Sequence, residues 1–209
     1  MKIAVVCANG KEGQLITKEA VKRGFDVTAV VRGENKSEAT KAIVKDLFDL
    51  TKEDLSGFDA VVDACGAWTP ETLDAIPNAV KKLCELLKGT DTRLLIVGGA
   101  GSLYVNKEHT LTVADGKDFP DAFKPLAAVH QTALNYLRGV KDVKWTYLSP
   151  AADFQADGEK TGKYILAGED FTLNAKGESV ISYADYAIAM VDEIENGNHI
   201  GQRISVVKE

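Results

Sequence analysis

Lys2-Ile3-Ala4-Val5-Val6, followed by Cys7-Ala8-Asn9-Gly10-Lys11-Glu12-Gly13, is the stretch that decides the fold. The apolar run predicts a buried strand. The glycine-spaced segment leads into a helical pattern at Gly13, Ile16, Thr17, Ala20 and Val21 that stops at Gly24. A strand that enters a helix through a glycine turn aims free backbone N–H groups and the positive end of the helix dipole at one point, where a phosphate sits with no side chain between. The two residues between Gly10 and Gly13 give the spacing of a dinucleotide pyrophosphate fingerprint, one glycine for close phosphate approach and one for close helix packing. Cys7 stands where that fingerprint has its first glycine. The candidate pyrophosphate segment is therefore Cys7, Asn9, Gly10, Lys11, Glu12 and Gly13.

Outward from this turn, short β-branched runs alternate with helical periodicities. Strands are expected at residues 2–6, 27–31, 42–45, 60–64, 93–97, 144–149 and 203–207, and helices at about 13–23, 77–88, 122–138 and 183–195. Thr51 and Asp54, and again Ser182 and Asp185, have the spacing of capping boxes. Periodicity loosens after Pro150. The alternation predicts one α/β domain over residues 1–209, a doubly wound parallel sheet with helices on both faces, and residues 150–182 supply substrate-side loops. Ligands of such sheets bind beyond the carboxyl ends of the strands, so the loops beginning at Cys7, Arg32, Asp46, Cys65, Gly98 and Pro150 should line one crevice.

Composition fits a single core: of 209 residues, 45% are hydrophobic and 27% charged. A net charge of −6 speaks against a nucleic-acid or anionic-membrane partner, so any phosphate site must be local. No stretch has the length of a spanning helix, and Met1-Lys2 runs straight into the first strand, which together predict a cytoplasmic protein. Cys7, Cys65 and Cys84 lack paired spacing and are expected as reduced thiols in apolar surroundings, with no disulfide frame. His109 and His199 have no ligand-spaced partners, so no metal is expected. A monomer or weak homodimer suits so compact a domain.

Arg32 follows the second strand, where an acidic residue would take the adenosine ribose and favour NAD; an arginine there suits a 2′-phosphate, and Lys11 adds a second cation. NADP is thus the expected cofactor. Glu34 nearby keeps NAD open.

The chain resembles the atypical short-chain dehydrogenase/reductases of the NmrA-like type, and among them bacterial proteins named as NADH-flavin reductases. The resemblance runs nearly end to end. It is carried by the glycine turn, Val30-Val31-Arg32, Asp46-Leu47-Phe48-Asp49, Gly98-Gly99-Ala100-Gly101-Ser102-Leu103, Trp145-Thr146-Tyr147-Leu148-Ser149-Pro150, and the run from Gly177 to Ala187. It implies a Rossmann-type domain similar to flavin and biliverdin reductases. Asp46 and Leu47 would border the adenine, Cys65 and Gly66 the nicotinamide-side ribose, and Gly98, Gly99 and Pro150 the nicotinamide.

Typical short-chain dehydrogenases reduce carbonyls with a Tyr-x-x-x-Lys pair, the lysine lowering the tyrosine pKa. In this sequence no tyrosine is followed four residues on by a lysine, and Leu126 and His130 align with the pair. Carbonyl reduction and sugar epimerisation become poor assignments. Hydride transfer to a flavin survives the loss, because it needs mainly stacking and exclusion of water. Trp68, Tyr104, Phe119, Phe123 and Phe154 are candidates for an aromatic platform, against a plain role in capping the core. His130 and Ser102 are the candidate catalytic groups, against roles in helix packing and turn chemistry. Two functions remain: an NAD(P)H-dependent reductase of FMN, FAD or another planar acceptor such as a quinone, and a non-catalytic NAD(P) sensor of the NmrA type.

Overall fold

Apolar side chains alternate across β1 (Lys2–Val6) so that Ile3 and Val5 enter one core and Ala4 and Val6 the other, which is why the strand reads as an unbroken apolar run. In the computed structural model, which describes residues 1–209, β1 lies near the middle of an eight-stranded sheet. The chain continues through α1 (Lys11–Lys22), β2 (Asp26–Val31), β3 (Lys41–Val44), β4 (Ala60–Asp63), α2 (Ala75–Leu87), β5 (Arg93–Val97), α3 (Lys124–Gly139) and β6 (Lys144–Ser149). It closes with β7 (Asp153–Gln155), β8 (Tyr164–Ala167), β9 (Val180–Ser182), α4 (Tyr183–Asn196) and β10 (Gln202–Lys208).

The strand order is β3-β2-β1-β4-β5-β6-β10-β8, parallel throughout except for β8, which pairs antiparallel with β10. The chain winds outward from β1 through β2 to β3, then crosses back to start β4 on the other side of β1. That reversal opens a crevice at the carboxyl ends of β1 and β4. Helices α1 and α4 cover one face over Ile3, Val5, Ile16, Val62, Tyr186 and Met190, and α2 and α3 cover the other over Val61, Leu83, Leu94, Ile96, Leu134 and Tyr147.

Boundaries shift for local reasons. Helix α1 starts at Lys11, ahead of the expected residue 13, because extended Gly10 serves as its N-cap. Helix α2 starts at Ala75 and carries Pro77 in its first turn, where the missing N–H has no intrahelical acceptor to lose. Helix α3 begins after a short 3-10 turn, Asp121–Phe123, so residue 122 precedes it. Three strands went unread, β7, β8 and β9. Each is only three or four residues long, too short to show a period.

One expected capping box is complete and the other is half-formed. Thr51 Oγ1 accepts from the Asp54 N–H at 3.4 Å, and the Thr51 N–H donates to Asp54 Oδ2 at 2.8 Å. Ser182 Oγ accepts from the Asp185 N–H at 3.0 Å, but the Asp185 carboxylate does not return to Ser182. It is fully buried and accepts instead from the Thr161 and Gly162 N–H groups at 3.0 and 2.8 Å and from Thr161 Oγ1 at 2.7 Å. The carboxylate thereby ties the 150–182 segment to the head of α4. Removing a multiply bonded buried carboxylate costs more than removing a cap. Asp185→Ala should therefore lose about 2–4 kcal/mol in urea unfolding and Ser182→Ala about 1 kcal/mol; equal losses would show that the anchor contributes no more than the cap.

Candidate functional site

The turn after β1 is built around one carbonyl. Cys7 adopts a left-handed conformation, φ 60°, that costs a non-glycine residue about 1–2 kcal/mol. Its oxygen accepts from the Gly10 N–H at 2.9 Å. A Cβ on Gly13 would stand 2.6 Å from that same oxygen, so only glycine lets α1 seat against the turn. Gly10 offers no side-chain cap, and the Lys11, Glu12 and Gly13 N–H groups have no acceptor inside the helix. This uncapped helix head, backed by its dipole, fits the pyrophosphate of a dinucleotide.

The side chains of the turn divide the work. Lys11 is exposed at the helix start. Asn9 is a clamp: its Nδ2 donates to the Glu34 carbonyl at 2.8 Å and its Oδ1 accepts from the Lys36 N–H at 2.7 Å, holding the loop after β2 beside the turn. Glu12 contributes its backbone to the helix head, not its carboxyl. That carboxyl is buried with neither oxygen hydrogen-bonded, near Tyr183 and Tyr186, and burial holds its pKa well above the usual carboxylate range.

Around the crevice, Arg32 is exposed just past β2 and its positive charge reaches Cys65. Asp46 caps a short turn, accepting from the Phe48 N–H at 2.9 Å, while the Leu47 side chain is buried in the core beneath α2. Beyond β4, Cys65 is half-buried and Gly66 exposed. Cys7 and Cys65 do not match the expectation of buried core thiols, since both are half-buried and the Cys7 thiol raises the Cys65 pKa; Cys84 alone is a buried core thiol. Asp63 ends β4 fully enclosed, accepting only the Cys65 N–H at 3.0 Å, and burial pushes its pKa up to about 7.

Gly98 and Gly99 follow β5 and exist as glycines for steric reasons. A Cβ on Gly98 would meet the Tyr147 ring at 2.3 Å, and one on Gly99 would meet the His130 ring at 2.9 Å. The Gly99 N–H donates to the Tyr147 hydroxyl at 3.0 Å, and that hydroxyl stands 3.2 Å from His130 Nδ1. Burial lowers the His130 pKa to about 4, so the imidazole is neutral at pH 7. Tyr147 donating to Nδ1 would leave the ring proton on Nε2. Pro150 is buried just past β6. Tyr147 was not singled out in the sequence; the signal was a tyrosine in the Trp145–Pro150 run opposite two consecutive glycines.

Ser102 is bonded within the fold. It is buried, and Arg203 donates to its Oγ at 3.2 Å and to its carbonyl at 3.3 Å, with Glu169 as the arginine's ion-pair partner. The aromatic candidates also part company. Trp68 and Phe123 are exposed, at 73% and 52%, Phe119 is half-buried, Tyr104 stacks on His109 at 4.3 Å, and Phe154 packs on Tyr183 and Tyr186. A surface depression of about 670 Å³ touches Asp59, Arg93 and Lys144 at the amino ends of β4, β5 and β6, the opposite end of the sheet from the glycine turn.

An uncapped helix head behind a glycine turn, at the switch point of a parallel sheet, defines a Rossmann-type dinucleotide-binding domain. The chain belongs to the NAD(P)H-binding family whose model matches residues 7–196. It is 56% identical to the "putative NADH-flavin reductase" of Streptococcus pneumoniae TIGR4, whose crystal structure it matches over 100% of both chains with a TM-score of 0.98. It is 46% identical to the uncharacterized protein YwnB of Bacillus subtilis strain 168, over 100% of this chain and 99% of that one. A Burkholderia pseudomallei structure named "Putative exported protein" is 36% identical over 99% of each chain, with a TM-score of 0.86. No helix of this protein is long and apolar enough to cross a membrane.

The enclosed Asp63 gives stability a pH dependence of known sign. Native Asp63 keeps its proton up to about pH 7, whereas unfolded aspartate loses it near pH 4, so its contribution is full below pH 4 and lost as pH rises toward 7. His130 acts oppositely, its contribution being lost as pH falls from 6.5 toward 4. Between pH 5 and pH 8 the wild type should lose about 2–4 kcal/mol more unfolding free energy than Asp63→Asn, which keeps the acceptor for Cys65 without an ionisable proton. Parallel losses in urea titrations would remove Asp63 as the cause.

Proposed function

We propose that the protein is an NAD(P)H-dependent reductase that passes hydride to a flavin, FMN or FAD, or to another planar conjugated acceptor such as a quinone. The observation that carries this reading is the floor of the crevice: Gly98 and Gly99 pack against a neutral His130 and against Tyr147, and the sequence has no Tyr-x-x-x-Lys pair. Such a floor suits an acceptor whose reduced form takes its proton from water. When bound, the dihydronicotinamide supplies the hydride.

The protein's own residues bind, orient and exclude water. The Lys11, Glu12 and Gly13 N–H groups hold the pyrophosphate, and Arg32 with Lys11 holds an adenosine 2′-phosphate, which favours NADP over NAD. Gly98, Gly99 and Pro150 bring backbone, not side chain, against the nicotinamide. Asp46, Cys65 and Gly66 border the adenosine and ribose. The exposed faces of Trp68 and Phe123 offer stacking surface to a flat acceptor. We place this activity in the cytoplasm, on a small-molecule acceptor, in a monomer or weak homodimer. The likeness to the streptococcal protein supports the reductase reading end to end.

A non-catalytic NAD(P) sensor is the second reading, favoured by the strained Cys7 in a position that glycine fills without cost. Anaerobic loss of NADPH and NADH absorbance, with and without FMN, separates the two. Protein-dependent oxidation only with FMN present is the expected result; saturable binding without turnover of FMN or a quinone would favour the sensor. In the same assay Arg32→Ala should weaken NADPH binding about tenfold, roughly 1.4 kcal/mol, and leave NADH nearly unchanged. Equal losses for both would withdraw the 2′-phosphate assignment.

A further inference from the structure

Two of the three cysteines converge on the crevice although 58 positions separate them in the sequence. Cys7 follows β1 and Cys65 follows β4, and these strands are direct neighbours, with Val6 opposite Asp63 and the Ala64 N–H donating to the Val6 carbonyl at 3.2 Å. Continued one residue, this register sets Cys7 beside Ala64, so Cys65 is the next residue along; neighbouring strands run about 4.8 Å apart, and a disulfide spans Cα atoms about 4.4–6.8 Å apart. Both side chains lie on the same side of the sheet, packed against the core beneath α2 and α3, and both are half-buried. The Cys7 thiol is near enough to that of Cys65 to raise its pKa. Cys84, by contrast, is enclosed in the core.

We propose that Cys7 and Cys65 form a dithiol that closes reversibly to a disulfide across the mouth of the glycine turn, and that closing it obstructs dinucleotide binding. The obstruction rests on the reading given under Proposed function; the cross-link does not. Hydrogen peroxide or another hydroperoxide is the oxidant. The Cys7 sulfur, as thiolate, attacks one peroxide oxygen, the O–O bond breaks, and hydroxide leaves to be protonated to water, so that Cys7 becomes a sulfenic acid. The Cys65 sulfur then attacks the Cys7 sulfur, the S–O bond breaks, and the departing oxygen leaves as a second water carrying the Cys65 proton. Two thiols lose two electrons in all and one peroxide gains them.

The roles follow from position. We assign Cys7, in the turn itself, as the attacking thiol and Cys65, at the end of β4, as the resolving one; the Cys7 thiol beside it, and then burial, raise the Cys65 pKa. Cys7 sits in the turn itself, held in a left-handed conformation with its carbonyl fixed by Gly10. A bond from its sulfur to Cys65 would lock the turn that leads into the head of α1, where the pyrophosphate binds. A bound dinucleotide would in turn cover Cys7.

The test uses the whole protein, exposed to hydrogen peroxide with and without NADPH, then alkylated and digested for mass spectrometry. We expect a Cys7–Cys65 linked peptide, with Cys84 alkylated, and full reversal by dithiothreitol. Cys7→Ser and Cys65→Ser should each abolish the linkage. NADPH at ten times its Kd should slow closure about tenfold, as mass action on the free form requires, and the closed protein should lose at least tenfold in NADPH affinity. Over-oxidation of a single cysteine without linkage, or links that include Cys84, would overturn the dithiol. Linkage with unchanged NADPH affinity would overturn the obstruction alone. Because linkage is read by mass without cofactor, a reduced protein that fails to bind NADPH would count against the reductase reading and not against the dithiol.

Discussion

Between the Cys7 carbonyl oxygen and the Cα of Gly13 there is no room for a methyl group, since a Cβ would stand 2.6 Å from the oxygen. That contact sets how closely α1 approaches the end of β1, and much of the crevice depends on it. With α1 seated, its free N–H groups point out of the sheet end, and the same carbonyl accepts from Gly10 to complete the turn. With the turn complete, Asn9 is placed to hold the loop carrying Arg32, and Cys7 is placed against Cys65. A larger residue at 13 would displace all of these together, which is a stronger constraint than any single hydrogen bond in the site.

Away from the turn, the C-terminal third is held by buried charges whose partners are far apart in sequence. Arg203 joins Glu169 to Ser102 and Ser149, so that β10, β6 and the loop after β5 are fixed to one guanidinium. Arg93 and Glu193 pair at 2.6 Å at the other end of the sheet, with His199 on the second carboxylate oxygen at 2.6 Å. Asp185 binds Thr161 and Gly162. Each charge is compensated where it is buried, and losing one partner would strand the other in a low-dielectric interior. These clusters set positions without touching the proposed reaction.

Several site residues were readable one position at a time. Gly10 and Gly13 announce a helix head by their spacing, and Gly13 also because a Cβ there would stand 2.6 Å from the Cys7 oxygen; Arg32 announces itself by charge at a strand end. Ser102 and His130 were harder. A serine and a histidine carry donors and acceptors anywhere, and only their neighbours show that Ser102 is occupied by Arg203 and that His130 is a neutral prop beneath Gly99. Cys7 and Cys65 looked like isolated apolar thiols for the same reason, because their proximity is made by strand pairing and not by spacing.

The sequence by itself determined the layer architecture, since apolar strands and amphipathic helices must bury their apolar faces and the alternation of the two admits few solutions. It also determined the glycine turn, where steric exclusion acts within a few residues. Only the tertiary structure decided which polar side chains pair, that Asp185 and Asn9 are clamps, that Glu12 and Asp63 are enclosed, and that two distant thiols meet. Those properties depend on which groups surround a side chain and on how much water they exclude. Neither is a property of any segment alone.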